Sequence, residues 1–435
     1  MSETVLVIGG GGREHAIVRA LAPDAEVYAL ASNRNPGIAA LAAGTETADA
    51  TDADAVVAYA EEVGADAVVV GPESALAAGV ADALNDAGVF TFGPTAEAAR
   101  IETDKAYQRE FMAENDIPGT PGFETFETAD AAADYVEAVD DDVAVKPAGL
   151  TGGKGVRVTG DQVSHAEAAE YVRGSGHDEW VIEERFVGEE FTVQAFVNDG
   201  EVRPTPAVQD HKRAYEGDEG PNTGGMGSYS DSVPMLPFMT REDYHEAVDV
   251  LEATVDALPE YTGVLYGQFM LTAAGPKVVE FNARFGDPEA MNVLPVMETP
   301  LLDVITAARD GEPLPEPHFA NRATVCKYAV PAGYPTDPDS GAAIEVDEST
   351  VEAAAEAHGG DALLFYASVD ARDDGLFTTT SRSFAVVGVA DDITIAEAIA
   401  ADALEAAGDG LRVREDVGTA ALLESRVDHM ASLRN

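Results

Sequence analysis

Four apolar runs near the start of the chain each stop at a polar, glycine- or proline-bearing turn. Thr4–Ile8 leads into Gly9-Gly-Gly-Gly12, and Val27–Ala31 into Ser32-Asn33 and then Asn35-Pro36-Gly37. Ala67–Val70 leads into Gly71-Pro72-Glu73 and Val89–Phe92 into Gly93-Pro94-Thr95, with helical patterns over 52–63 and 75–87 between the runs. Such alternation predicts a parallel sheet covered by helices on both faces, a Rossmann-like α/β unit. Ligands of such sheets bind beyond the carboxyl ends of the strands, where all four turns fall. Gly10, Gly11 and Gly12 open a helix that carries Arg13, and a helix N-terminus of this kind holds anions. A merely tight turn would use the same glycines. The dinucleotide fingerprint does not fit, because its third glycine position is Glu14 and the second strand ends without an acid for a ribose. NAD is disfavoured, and the phosphate of a smaller substrate is the expected ligand.

The 435 residues allow two to four domains. With 80 Asp+Glu against 26 Lys+Arg, the net charge is −54, yet 46% of residues are hydrophobic, so the acidity belongs to folded surfaces. Carboxylates in such excess suit a protein that stays soluble in concentrated salt, where screening suppresses self-repulsion; a halophilic source is the expectation. No basic stripe is present to neutralise nucleic-acid phosphates or to meet an anionic membrane. The lone Cys326 excludes an internal disulfide framework, and Met1-Ser-Glu-Thr runs into a strand with neither a basic n-region nor a cleavage site. Cytoplasmic location follows as an expectation. Lysine is scarce enough for its six positions to be informative: 105, 146, 154, 212, 277 and 327.

Beyond Ile101, a helix at 104–114 leads into Ile117-Pro-Gly-Thr-Pro-Gly122, then a helix at 129–139, a strand at 143–146, and Pro147-Ala-Gly-Leu-Thr-Gly-Gly-Lys-Gly155 before a strand at 156–158. The loop is not a Walker A sequence, since its spacing is one residue short and no Ser or Thr follows Lys154. A mobile glycine-rich cover could bring Lys154 over phosphates, and an ordinary flexible hairpin has the same composition. Trp180–Glu190 reads as a hinge strand in which backbone groups can meet an adenine edge and Glu190 can hold ribose hydroxyls. Alternating strands over 191–197 and 201–208 precede Gln209-Asp-His-Lys-Arg213 and the glycine-rich Gly220-Pro-Asn-Thr-Gly-Gly-Met-Gly227. That loop exposes backbone N–H groups and allows close ligand approach.

A helix at 241–257 and a strand at 261–270 lead into Pro276-Lys-Val-Val-Glu-Phe-Asn-Ala-Arg-Phe-Gly-Asp-Pro-Glu289. Strand alternation puts Glu280, Asn282 and Arg284 on one face, with Gln268 able to join them from the partner strand. A carboxylate beside an amide carbonyl makes a hard oxygen site for Mg2+, and an arginine one step on can neutralise a phosphate. A half-buried strand with a wet polar face gives the same alternation. A helix over 295–308 and the stiff Gly311–Pro317 linker follow. The remainder reads as a smaller β-rich unit, with strands near 325–330, 363–369 and 384–389, a helix over 394–407, and no comparable cluster of catalytic groups.

Taken in order, Gly9–His15, Gly71-Pro-Glu73, Gly93-Pro-Thr95, Lys146–Gly155, Asp210-His-Lys-Arg213, Gly220–Gly227 and Glu280–Glu289 closely resemble the phosphoribosylamine–glycine ligase (glycinamide ribonucleotide synthetase) family, part of the ATP-grasp superfamily. The resemblance spans nearly the whole chain. It implies an α/β and α+β multidomain fold: a parallel-sheet domain at 1–102, an ATP-grasp region at 103–320 and a C-terminal β-rich domain at 324–435. Within the ATP-grasp region, it implies a lid at about 118–187 and a catalytic subdomain at about 188–320.

The implied reaction joins glycine to 5-phosphoribosylamine with ATP, through glycyl phosphate, in purine biosynthesis. ATP would be held by Lys105, Lys146 and Lys154 on phosphates, Glu183, Glu184 and Phe186 around adenine, and Glu190 on ribose. Mg2+ (or Mn2+) would lie on Glu280 and Asn282, with Gln268 beside them. Arg284, Lys154, Asp210 and Lys212 would serve catalysis. The other substrates would be held by Gly10, Gly11, Gly12, Arg13, Asn35, Pro36, Gly37, Gly71, Pro72, Glu73, Gly93, Pro94, Thr95, Pro221, Asn222, Thr223, Gly224, Gly225 and Asp287, together with Asp210, Lys212 and Arg284. The chain departs from common relatives at Ala148, where an acid is usual, and at Gln268, where many ATP-grasp enzymes carry a metal-binding carboxylate. The expected partners are small molecules, with neither nucleic acid nor membrane, and a monomer is expected with a dimer left open.

The acidity makes one prediction at once. The melting temperature should rise from low salt into multimolar KCl, followed by circular dichroism; a melting temperature that falls with added KCl would remove the salt-adaptation reading.

Overall fold

The computed structural model describes residues 2–149, 155–406, 408 and 410–435. Its first unit is a five-stranded sheet in the order Gly44–Thr47, Ala25–Ala31, Glu3–Ile8, Ala67–Val70, Phe90–Phe92. Every pairing is parallel, as the strand–helix alternation predicts. Val5–Ile8 are fully buried, because helices cover both faces and leave no wet side to demand alternation. The strand order reverses between Glu3–Ile8 and its neighbours, which opens a crevice at Gly9–Gly11 and Pro72. The helix expected over 75–87 is two helices, Glu73–Ala77 and Val80–Asp86, because Gly79 adopts φ +78° between them.

The second unit is a four-stranded antiparallel sheet in the order Phe123–Phe126, Trp180–Glu184, Val143–Pro147, Arg157–Val158, with helices Ala129–Ala138 and His165–Gly174. These helices start at Thr128 and Ser164, whose hydroxyls cap backbone N–H groups. Ala132, Val136, Val145, Ala169, Val172 and Trp180 form a small core separate from the main ones. The third unit is the four-stranded antiparallel sheet Glu201–Pro204, Glu189–Asn198, Gly263–Thr272, Gly275–Asn282, packed on by the helix Arg241–Asp256.

Gln209–Asp210 and Gly227–Ser230 do not join that sheet. They pair instead with Ala323–Pro331, Phe384–Ala390 and Asp361–Tyr366, so the polar 209–213 segment hangs from strands of the C-terminal unit. The helix expected over 295–308 is a short 3-10 turn, Leu294–Val296, and a separate helix, Leu301–Asp310; Pro300 has no N–H to continue a helix and disfavours α geometry at Thr299. The strand expected over 363–369 splits into Asp361–Tyr366 and Val369–Arg372, which lie in different sheets. Two helices that the sequence reading missed, Glu348–His358 and Ala420–Arg434, complete the C-terminal unit. Among the described residues, no helix is long and apolar enough to cross a membrane.

The separate core of the second unit can be tested at Trp180, which is fully buried and donates its indole N–H to His177 O at 3.1 Å. Trp180→Ala should cost about 3–5 kcal/mol locally. Hydrogen exchange should show lost protection confined to 123–184, whereas equal loss across the chain would mean that this unit has no core of its own.

Candidate active site

The strand Gly275–Asn282 is irregular where the chemistry lies. Gln268 pairs with Glu280 but Phe269 pairs with Val278, so Val279 is an extra residue in the ladder. Its carbonyl, freed from the sheet, accepts from Lys146 Nζ at 3.0 Å and from Arg109 Nη2 at 2.6 Å. Val278 and Phe281 both point into the core, while Glu280 and Gln268 face each other across the strands.

Around this pair lies a cavity of about 450 Å3, walled by all three later units. Lys212 Nζ donates to Gln268 Oε1 and sits 3.5 Å from Glu280 Oε1. Gln268 Nε2 in turn donates to Glu190 Oε2 at 2.7 Å. Burial alone would push the Glu280 carboxyl up, but Lys212, Lys105, Lys146 and Arg284 hold it down at about 2. Lys212 moves the other way: desolvation opposes its charge, and the carboxylates of Glu280, Asp210, Glu190 and Glu289 outweigh that and raise it. Asp210 is half-buried with its Oδ1 enclosed and without a hydrogen-bond partner, and desolvation and Glu289 push its carboxyl well up. The carboxylate is hemmed in by Gly225 (φ +110°), where an added Cβ would lie 2.6 Å from Oδ1, so glycine is required there for space as well as backbone geometry.

Lys146 and Arg109 clamp Glu183 from two sides, at 2.7 Å for each closest contact. Glu183 was expected beside adenine; it does line the cavity, yet both its oxygens are engaged by these cations. Glu184, Phe186, Glu190, Asn222 and Thr223 also line the cavity. Lys105 donates to Gly149 O at 3.1 Å, and its own N–H donates to Ala148 O. Lys154 lies outside the described residues.

Arg284 does not share the Glu280 face as strand alternation predicts. The strand ends at Asn282, and the guanidinium turns to Glu102 at 2.7 Å and Glu73 at 3.7 Å, within 3.4 Å of Asn282 Oδ1. Desolvation pushes the Glu102 carboxyl up to about 7, with Arg284 opposing the rise.

A second cavity, of about 230 Å3, lies at the crevice of the parallel sheet. Gly10, Gly11, Arg13, Pro72 and Asp287 line it as expected substrate residues, joined by Glu14, Ser74, Ser368, Ser381 and Arg382. Gly12 packs against Tyr328 and Met291 instead. Asn35 caps the helix at Pro36–Leu41 and donates to Gly10 O and Tyr366 O, while Gly37 lies against the His15 ring and Gly71 against Glu14. Gly93 packs beside Gly263 and Pro94 near it, and Thr95 Oγ1 accepts from Ala98 N. Pro221 and Gly224 also stand outside both linings. None of these positions lines either cavity.

Arg382 has no counterpart in the sequence reading. It donates to the carbonyls of Gly224, Gly225 and Asp287 and lies 3.3 Å from Asp287 Oδ1, which also accepts from Tyr328 OH at 2.6 Å. The C-terminal unit, expected to carry no comparable cluster of catalytic groups, supplies Arg382 to the smaller cavity and Arg426 and His429 to the larger. Local patterning gives no signal for these residues, whose partners lie far away in sequence.

Among the described residues, no group of three His, Cys, Asp or Glu side chains could cage a metal. Glu280 offers one carboxylate to a hard cation that keeps waters and takes phosphate oxygens, and the amide oxygens of Gln268 and Asn282, which here accept from Lys212 and Arg284, join it once those donors turn to phosphate.

Family models for the N domain, the ATP-grasp (A) domain and the C domain of phosphoribosylglycinamide synthetase match residues 3–102, 103–290 and 324–420. A phosphoribosylamine–glycine ligase of Methanococcoides burtonii is 52% identical over 99% of each chain, and one of Methanosarcina barkeri is 50% identical over 99% of each. The crystal structure of phosphoribosylamine–glycine ligase from Thermotoga maritima superposes with a TM-score of 0.78 at 26% identity, covering 95% of this chain and 99% of that one. A biotin carboxylase domain from Hydrogenobacter thermophilus shares the fold, with a TM-score of 0.72 at 16% identity over 99% of this chain and 94% of that one. The chain, matched along nearly its whole length, belongs to the phosphoribosylglycinamide synthetase family.

Proposed function

We infer that this chain is a carbon–nitrogen ligase that joins glycine to 5-phosphoribosylamine at the expense of ATP, giving glycinamide ribonucleotide, ADP and phosphate in purine biosynthesis. The observation that carries the reading is the meeting of Lys146, Lys212 and Glu280 in one cavity, in a chain that matches this family from end to end.

ATP takes the larger cavity, with adenine at the hinge near Glu184 and Phe186, ribose at Glu190, and phosphates toward Lys105, Lys146 and Lys154. Glycine's carboxylate attacks the γ-phosphate, forming an acyl phosphate and releasing ADP. The amine of 5-phosphoribosylamine, its phosphate in the smaller cavity near Gly10, Gly11 and Arg13, then attacks the acyl carbon. A C–N bond forms, the C–O bond to phosphate breaks, and the amine proton passes to a base. Asp210 suits that role, since burial beside Glu289 raises its proton affinity. Lys212 and Lys146 supply fixed positive charge along the path of the phosphoryl group, and positioning does much of the rest. A divalent metal, Mg2+ or Mn2+, would be held by Glu280, Asn282 and Gln268 and would supply charge neutralisation for the phosphates. Arg284, held by Glu102 and Glu73, lies 3.4 Å from Asn282 Oδ1 and adds positive charge near Glu280. The division at 102 and 320–324, a cytoplasmic setting and function in concentrated salt belong to this proposal, the last supported by the surface acidity.

The test is ADP release in multimolar KCl with Mg2+ and ATP, with 5-phosphoribosylamine generated in place from ribose 5-phosphate and ammonia. ADP should appear only when glycine and the amine source are both present; ADP formed with another acid would move the substrate assignment. Glu280→Gln should lower ADP formation at least about a hundredfold, as removal of a key electrostatic group does. Its melting temperature should stay near that of the parent, and near-normal turnover in the folded variant would sink the role given to Glu280.

A further inference from the structure

The helix Ala420–Arg434 begins where the match to the family's C domain ends, at residue 420, and it packs against the wall of the larger cavity. One face of it, at helical spacing, carries Leu422, Arg426, His429 and Met430. Leu422 and Met430 are buried and anchor the face, while Arg426 and His429 between them line the cavity. Arg434 closes the far end on Asp243.

His429 Nδ1 lies 2.6 Å from Glu189 Oε1 and Arg426 Nε 3.3 Å from Glu189 Oε2, while Arg426 also grips Asp218 just before the glycine-rich loop. Gln209 Nε2 bridges Glu189 Oε2 at 3.3 Å and Glu190 O at 3.0 Å, and Tyr229 OH fixes the Gln209 carbonyl at 2.6 Å. Glu190 Oε2 then accepts from Gln268, whose carbonyl holds Lys212 beside Glu280. A continuous chain of polar contacts thus runs from the last helix through Glu189, Gln209 and Glu190 to the centre of the cavity. Glu189 is buried, and desolvation pushes its carboxyl up while Arg426 opposes the rise, so its position depends on the partners it meets from the last helix.

We propose that the C-terminal helix is part of the nucleotide site, with Arg426 and His429 as positioning residues that fix Glu189 and so aim the adjoining Glu190 at the bound nucleotide. The proposal rests on reading the larger cavity as the ATP site. A helix that served only as packing would need its apolar anchors and the Arg434–Asp243 clamp, but it would not need two polar side chains, Arg426 and His429, trained on the strand that carries Glu190. Partners that orient a metal ligand are worth about tenfold or more in affinity or activity, and a loss of that size is the expectation for partners that orient Glu190.

The test uses the full chain. ADP with Mg2+ is titrated calorimetrically, and KM is measured for ATP and for glycine, in the parent and in His429→Ala, His429→Asn, Arg426→Lys and Arg434→Ala. His429→Ala should weaken ADP binding and raise KM for ATP about tenfold, with KM for glycine within about twofold. His429→Asn, which keeps a hydrogen-bonding atom near the Nδ1 position, should recover most of that loss. Arg434→Ala, which loosens the helix away from the cavity, should lower the melting temperature while leaving ADP affinity unchanged. If His429→Ala does not fold, Arg426→Lys reads the same effect, since it keeps the charge and loses the shared grip on Glu189 and Asp218. Unchanged ADP affinity in folded His429→Ala or Arg426→Lys, or equal shifts for ATP and glycine matched by Arg434→Ala, would overturn the proposal. Absence of ADP binding by the parent chain would overturn the ATP reading and this proposal together, whereas ADP binding without glycine-dependent turnover would overturn the substrate assignment alone.

Discussion

A carboxylate with no water around it must be matched by cations at close range, and Glu183 is matched by two. Arg109 comes from the helix Lys105–Glu114, Lys146 from a strand of the second unit, and both also reach the carbonyl of Val279 at the bulge. Taking these charges out of water is unfavourable, and their mutual attraction repays it only while the geometry holds; removing one partner of such a group costs about 3–5 kcal/mol. The cluster is therefore a poor source of net stability and a strong source of position. It locks the unit with the small separate core onto the strand that carries Glu280, and it fixes Lys146 at the mouth of the cavity. Burial lowers the proton affinity of Lys146, and the Glu183 carboxylate opposes that fall.

The same logic explains where this chain spends its few lysines. On a surface with a net charge of −54, an exposed lysine would be one cation among many carboxylates. Lys105, Lys146, Lys212 and Lys327 are instead drawn inward: the first three contribute to the field on Glu280, and Lys327 is fully buried against Glu397 and Glu415 O. Every proposed substrate is an anion or carries an anionic group, so the protein must admit negative ligands through a negative exterior. Short-range cations inside a low-dielectric cavity do this, and the long-range repulsion fades as ions shorten the screening length.

The parallel sheet was legible because strands buried on both faces write themselves as uninterrupted apolar runs, and glycine turns mark their ends. Glu280, Gln268, Lys146 and Lys212 were legible as polar groups in unexpected company. Strand alternation assumes that the ladder continues to Arg284; it ends at Asn282, and the pull of Glu102 and Glu73 then redirects the guanidinium. Arg382 could not be found by pattern at all, since its carbonyl partners lie 95 to 158 residues away and an isolated arginine has no period. The last helix was missed for a related reason: its inward face mixes apolar anchors with cations, so no clean apolar stripe announces it.

The pairing of Gly227–Ser230 with Ala323–Pro331, and of that strand with Phe384–Ala390, sets an order of events during synthesis. A chain emerging from the ribosome can complete its parallel sheet early, because those contacts are local and N-terminal. The segment that carries Asp210 pairs with Gly227–Ser230, whose own second neighbour, Ala323–Pro331, follows only about a hundred residues later, and Arg426 and His429 arrive with the last helix. Long-range pairings of this kind are slow to form and leave strand edges open meanwhile. The larger cavity is thus assembled from elements far apart in the chain, and its wall is complete only once the helix Ala420–Arg434 is in place.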